Sequence, residues 1–391
     1  MYVCQGQFNM VSLPRVSKCG RFVLFWPFFL TQEALFPILV RKTELDALKT
    51  LLRCGRRYVT IFLSFFIFEA FCSPISPICA LDIVPFATKN QSPLVQIYGL
   101  PSAGNARLVS PGEKEIRMML DYASNYVEDR NAVESITLDG ETARITLHGR
   151  YGVSKNIEYG MEIPYVVHGG GFLDSFIIHY HDLFGFPQGG RDQAPRNRVR
   201  FHYTRDGAEK IHVERSSNGF GDVSLTAGFQ VYDDGKEYPR AAALRISLKL
   251  PTGDSDSLHG SGSTDFSCWI TARDDYRVRY GHAGIFAALG FMAMTGGDVL
   301  PEQQRHYVGF GSVGGGWSPL SWLALKIQLD VHTPFYTDSQ LRELSSSSAQ
   351  LILGGTFALS KRTSLDIGLS EDIVTRTASD VVFHFALCTR F

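Results

Sequence analysis

From Glu115 onward, apolar and polar residues alternate along most of the chain. Leu323, Leu325, Ile327, Leu329 and Val331 fall on one side of an extended segment and Ala324, Lys326, Gln328, Asp330 and His332 on the other, because successive side chains of a strand point to opposite faces. The same period of two runs through 116–122, 143–151, 157–163, 223–231, 244–250, 349–357 and 365–369. It ends in a stretch with Val381, Phe383, Phe385, Leu387, Thr389 and Phe391 on one face and Val382, His384, Ala386, Cys388 and Arg390 on the other. A soluble sandwich would need turns that fold two sheets together and a solvated polar row. Here the polar row is small and charged, and connections alternate between short and long. The pattern predicts an all-β fold, an antiparallel up-and-down transmembrane barrel over residues 113–391.

Short turns are expected near 154–156, 234–236, 317–319 and 360–362, and long loops at 168–199, 252–263 and 334–345. Counting back from Phe391 gives about 12 strands, with 115–138 as one long strand turning at Asp139-Gly140. The count becomes about 14 if the hairpin 198–215 is part of the wall. Residues 172–184, bracketed by Gly169-Gly170-Gly171 and Gly185, read as a helix in an outer loop that folds over or into the barrel mouth. On such a helix Asp174 and His181 share a face while His179 diverges. With Arg191 they are the candidates for a gate or ligand contact.

The first 112 residues differ in kind. Residues 1–52 lack periodicity and read as a spurious or disordered upstream extension. In 53–80, Arg53, Arg56 and Arg57 precede the apolar run 58–71 and a small residue, Ala80, as in an export signal. That run is shorter than the roughly 20 residues a spanning helix needs. Pro85, Pro93, Pro101 and Pro111 deny 81–112 a regular ladder, leaving an irregular lead-in or plug. Beyond residue 80 only Cys268 and Cys388 remain, compatible with one disulfide or none.

The informative chemistry is the inward row. Arg117, Arg144, Arg150, Arg245, Lys249, Lys326, His384 and Arg390 would share the lumen with Asp121, Glu158, Glu162, Asp330 and Asp366. Such charges either pair and close a narrow lumen or line a wet path, and a barrel of intermediate size permits both. Other motifs carry less. Gly309-Phe-Gly311-Ser-Val-Gly314 satisfies a dinucleotide fingerprint, but no helix can follow Gly315-Gly316-Trp317 and Pro319. Ser261 sits in a flexible Gly-Ser-Gly loop and not on a strained elbow. Asp254, Asp256 and Asp265 offer at most a weak hard-cation site, so neither a metal nor a cofactor is expected. The net charge of -1, with neither half strongly basic, excludes a nucleic-acid partner.

Several pieces together resemble a family of proteobacterial outer-membrane proteins, domain of unknown function 3187. They are N-Q-S-P (90–93), Y-G-L-P (98–101), L-D-G-E-T (138–142), M-E-I-P-Y (161–165), D-x-x-x-x-H-x-H (174–181), G-F-G-D-V (219–223), L-K-L-P-T-G-D (248–254), S-G-S-T-D (261–265) and S-E-D-I (370–373). The resemblance covers 81–391. The G-F-G-D and P-T-G-D pieces are also similar to outer-membrane barrels of aromatic-degradation pathways. These resemblances imply the bacterial outer membrane as location, with lipid and lipopolysaccharide as surroundings. They imply no established activity; the closing strand, which ends on Phe391, itself resembles the last strand of bacterial outer-membrane barrels, which implies engagement of the barrel assembly machinery, and a monomer is expected. The expected role is a passive channel for small solutes, apolar or aromatic ones included; the alternatives are a closed structural or adhesive barrel and a lipid-acting enzyme.

Overall fold

The computed structural model describes residues 81–184, 190–373 and 376–391; the expectations for residues 1–80 lie outside them. In order come β1 (Lys114–Arg130), β2 (Glu134–Ser154), β3 (Ile157–Gly169), α1 (Asp174–Phe184), β4 (Arg200–Arg205), β5 (Ala208–Val213) and β6 (Ser217–Phe220). There follow β7 (Ser224–Asp233), β8 (Arg240–Lys249), β9 (Asp265–Arg277), β10 (His282–Met294) and β11 (Tyr307–Leu320), then β12 (Leu323–His332), β13 (Ser348–Ala358), β14 (Thr363–Asp372) and β15 (Val381–Arg390). β1 pairs antiparallel with both β2 and β15, and β3 with β7, so the sheet closes into a 12-stranded barrel. β4 and β5 extend the upper edge of β2 and β6 that of β3, above the wall and not in it.

Burial is inverted relative to a soluble protein. Outward Leu289 is 70% exposed and Ile327 51%, whereas inward Gln328 and His384 are fully covered. Hydrocarbon around the wall makes the apolar row the solvent-facing one, and closure pairs the edges of the 12 wall strands, leaving single-sided edges at β5 and β6 above the wall. Among the described residues no helix is long and apolar enough to cross a membrane.

Two turns fall elsewhere than the sequence suggested. β1 continues to Arg130 and the chain reverses at 131–133, so Asp139-Gly140 lies inside β2. The ladder persists there because β4 takes over as β2's partner exactly where β3 leaves it, at Asp139↔Arg200 after Glu141↔Gly169. Trp317-Ser318-Pro319 likewise belongs to β11, whose register shifts between Trp317 and Leu320, and the chain turns at 321–322.

Glycines of β10, β11 and β14 make room inside the wall. A Cβ on Gly314 would stand 2.6 Å from the Phe286 ring, and one on Gly316 2.8 Å from Ile83 of the lead-in. The fingerprint-like glycine run is therefore a packing device of a crowded lumen. Cys388 faces inward and Cys268 outward on another strand, and both are free thiols.

Candidate functional site: the lumen and the segment within it

Residues 81–112 run through the barrel interior as two limbs and a crest. On the first limb Ile83 packs against Phe286 and Ala324. The Phe86 amide donates to Gln328 Oε1 (2.8 Å), and the Phe86 ring lies beneath the Lys326 ammonium, 4.0 Å from the centroid. Asn90 Nδ2 donates to the Thr377 carbonyl and approaches His332 Nε2, both at 2.9 Å. At the crest Val95 and Gln96 donate back to the Ser92 carbonyl. Tyr98 stacks on Phe335 with centroids 4.9 Å apart, within an apolar cluster that takes in Leu258, Val299, Leu300 and Leu344 from the long loops. On the second limb Gly99 donates to Asp265 (2.7 Å), Trp269 donates to the Ala103 carbonyl (2.9 Å) and Val109 donates to Glu158 (2.7 Å). This backbone lacks a ladder of its own, and the wall's polar side chains satisfy it instead.

Two ion-pair systems hold the limbs. Near the short-turn end, charges alternate around the lumen. Glu158 lies between Arg245 (2.8 Å) and Arg150 (2.9 Å), Glu115 between Arg150 (2.6 Å) and Arg390 (3.1 Å), and Asp82 between Arg390 (3.6 Å) and Arg273 (3.4 Å). Higher up, Lys249 Nζ meets Asp222 (2.6 Å), Asp265 (3.0 Å), the Ile97 carbonyl (3.2 Å) and Ser261 Oγ. Asp222 also accepts from the amides of Gly253 (2.8 Å) and Ser261 (3.1 Å). Sequence pieces far apart in the chain, G-F-G-D, L-K-L-P-T-G-D, S-G-S-T-D and Y-G-L-P, thus meet at one buried cation. Charges so deep are costly unless every one is paired, and the geometry supplies a partner for each.

All the inward-row residues named from the sequence lie on inner rows, but they do not form one cluster. Arg150, Glu158, Arg245 and Arg390 join the lower system; Lys249 centres the upper one. Lys326 pairs with Asp366 (3.3 Å), His384 with Asp121 (2.7 Å), and Asp330 accepts from Gln328 (2.9 Å). Arg144 donates only to the Gln96 carbonyl (3.1 Å) among the described residues. Beside the lead-in, the side chains of Arg117, His148 and Glu162 keep 13%, 16% and 24% exposure within the barrel. Lys89 is also partly exposed and faces the charges of Arg144, Glu162 and Asp121. Arg144 Nε and His148 Nε2 are buried atoms that find no hydrogen-bond partner among the described residues.

Several candidates are placed differently from their sequence reading. Asp265 is drawn into the lumen, 1% exposed, while Asp254 and Asp256 stay exposed in the loop, so the three acidic residues do not converge. Helix α1 does not cover the mouth. It lies against the outward row, where Phe176 approaches Phe383 (6.2 Å) and Phe172 approaches Tyr122 (5.4 Å). The connection must bulge outward because β4 occupies the edge that β3 vacates, and the outer row offers apolar partners. Asp174 and Arg191 meet there at 2.7 Å, with Arg191 also reaching Ser124 (2.8 Å) and Asp380 (2.6 Å). His181 lies within α1, its side chain outside the described residues. Glu115, Arg273 and Asp222 belong to the lumen network but were not among the sequence candidates. Glu115 and Arg273 share the inward parity of their strands, which was the available signal; Asp222 lies in a loop and carried none.

The match to a family model, the one described as a protein of unknown function (DUF3187), spans residues 65–391, so the chain belongs to that family. No curated protein matches it. The solved structures it resembles include the COG4313 outer membrane channel from Pseudomonas putida F1, at 10% identity and TM-score 0.49, over 74% of this chain and 98% of that one. Another is the CymD monoaromatic hydrocarbon channel, at 12% identity and TM-score 0.34, over 79% and 94%. A third is the NanC porin, at 7% identity and TM-score 0.37, over 71% and 98%. At such low similarity no functional statement about this chain rests on them.

Proposed function

We propose that the protein is a passive outer-membrane pathway for small hydrophilic solutes, directed to the bacterial outer membrane by an export signal in residues 53–80 and occluded at rest by the segment 81–112. The observation that carries this reading is the exposure retained by Arg117, His148 and Glu162 inside a lumen otherwise filled by the lead-in. A barrel built only as a scaffold would gain by packing that side with apolar residues, since buried ion pairs seldom out-stabilise them. The crest closes the long-loop end with apolar contacts, not with ion pairs alone, so opening requires displacement of the crest and not of the wall. A second reading, with an aromatic or apolar solute, is favoured by the Tyr98, Phe335 and Tyr336 rings at that crest. Swelling of liposomes containing the refolded protein tests both. Flux of small sugars or amino acids exceeding that of a benzoate-sized aromatic supports the first reading, and the reverse order supports the second. No flux of any solute, from wild type or from a variant with a loosened crest, leaves a closed barrel.

A further inference from the structure

The hairpin formed by β4 and β5 carries a group of side chains that the lumen does not use. The strands join through Asp206-Gly207, whose φ values of 52° and 73° give the doubly left-handed turn favoured by two-residue hairpins. Above the turn, His202 faces His212 directly across the pair. The register then shifts: Tyr203 pairs with Ile211, but Thr204 pairs with Glu209, leaving Lys210 as the extra residue of a β-bulge. In an unbroken strand Glu209 would point to the same side as Ile211, which is buried with Phe201 and Tyr203 in the apolar cluster under the hairpin. The bulge turns it to the opposite, exposed face, beside both imidazoles.

The result is compact. Glu209 Oε2 lies 3.0 Å from His202 Nε2 and 2.9 Å from His212 Nδ1, and the three donor atoms lie within 4.8 Å of one another. The rings stand nearly perpendicular, at 83°. Two imidazoles and a carboxylate are the donor set of three-ligand zinc sites, in which the ion sits about 2.0–2.2 Å from each atom. The other ring nitrogen of His212 is 3.8 Å from Glu214 Oε2, and Glu214 is itself held by Arg200 at 3.1 Å. A carboxylate behind a ligating imidazole fixes its tautomer and strengthens it as a donor.

We propose that His202, Glu209 and His212 form a binding site for a single zinc-type divalent transition-metal ion on the outer hairpin, with Glu214 as a positioning residue and a fourth position left to water. The mixed nitrogen and oxygen donors suit Zn2+ better than Ca2+ or Mg2+, which take oxygen donors. A bound ion would cross-link β4 to β5 above the crest of residues 92–98, because the inner face of the same hairpin packs into the apolar cluster that contains the crest.

The test is calorimetric titration of Zn2+ into refolded, chelator-stripped, tag-free protein in detergent, with Ca2+ as the comparison ion. The expected result is one equivalent of Zn2+ bound, no heat from Ca2+, loss of binding in His212→Ala and in Glu209→Gln, and weakening by about tenfold or more in Glu214→Gln. The variants should keep the wild-type heat-shifted migration on gels, since the substituted side chains are on the exposed face. No binding by wild type, or the same binding in His202→Ala/His212→Ala as in wild type, overturns the proposal.

Discussion

Lys249 and Asp222 stand 2.6 Å apart, each almost wholly buried, and everything else at the upper anchor is arranged around that pair. Replacing Lys249 with Met keeps the volume but leaves Asp222 and Asp265 facing each other uncompensated. The expected cost is about 3–5 kcal/mol, the range for breaking one side of a buried ion pair. Asp222→Asn should cost less, because Lys249 keeps Asp265 as its carboxylate and the amide oxygen can still accept from one of the two amides, Gly253 at the Oδ1 position or Ser261 at the Oδ2 position. Urea titrations followed by gel migration or tryptophan fluorescence give both numbers, and equal costs would contradict this assignment of roles.

Gly368 tests whether the lead-in is fitted to the wall. A Cβ there would stand 3.2 Å from Phe86 and 3.4 Å from Ile352, both side-chain contacts. Gly368→Leu should therefore push Phe86 from beneath Lys326 at a cost of about 1–3 kcal/mol, the usual range for overpacking. Protease cleavage within residues 81–100 should increase while the barrel itself stays resistant.

The outer loop is pinned by Arg191, which reaches Asp174, Ser124 and Asp380 at once. Arg191→Ala should free the segment 170–199 for proteolysis in detergent without altering the migration of the folded barrel. Loss of the folded barrel itself would show that the knot supports the wall and not merely the loop.

Acidification should loosen the loop 252–263. The His259 ring lies buried in that loop, stacked on His168 at 5.5 Å, and burial holds its pKa below the usual value, Asp254 opposing the shift only in part. The folded state thus favours the neutral ring. Its contribution is full above the unfolded value near 6.5 and is lost as pH falls from there toward the depressed folded value. Protection factors for hydrogen exchange of residues 252–263, with the intrinsic pH dependence of exchange divided out, should fall across that interval in wild type and lose the dependence in His259→Asn.

Much of this architecture was legible in the chain, and the reason is the period of two. Leu323–His332 can be read as outward and inward rows without a structure because lipid leaves the polar row only one place to go. The ends of strands were less legible: nothing local tells Asp139-Gly140 from a hairpin turn when a distant segment, β4, supplies the ladder that carries the strand onward. The direction of α1 was hidden for a similar reason, since the space it fills is created by β3 leaving β2's edge. Lumen side chains were recognisable by parity, whereas their pairing was not. That Glu158 meets both Arg150 and Arg245 depends on barrel stagger and on a prolyl-rich segment with no pattern of its own. The bulge at Lys210 also escapes the sequence, so Glu209 reads as facing away from the two histidines.

The proposed function requires a wet passage beside the lead-in that the crest closes. Single-channel recording in planar bilayers tests this most directly, comparing wild type with a variant in which residues 92–98 are replaced by a glycine-serine stretch of equal length. The account predicts small or brief openings in wild type and larger, sustained ones in the variant. Silence from both, in protein whose barrel is shown to be folded and inserted, would contradict it.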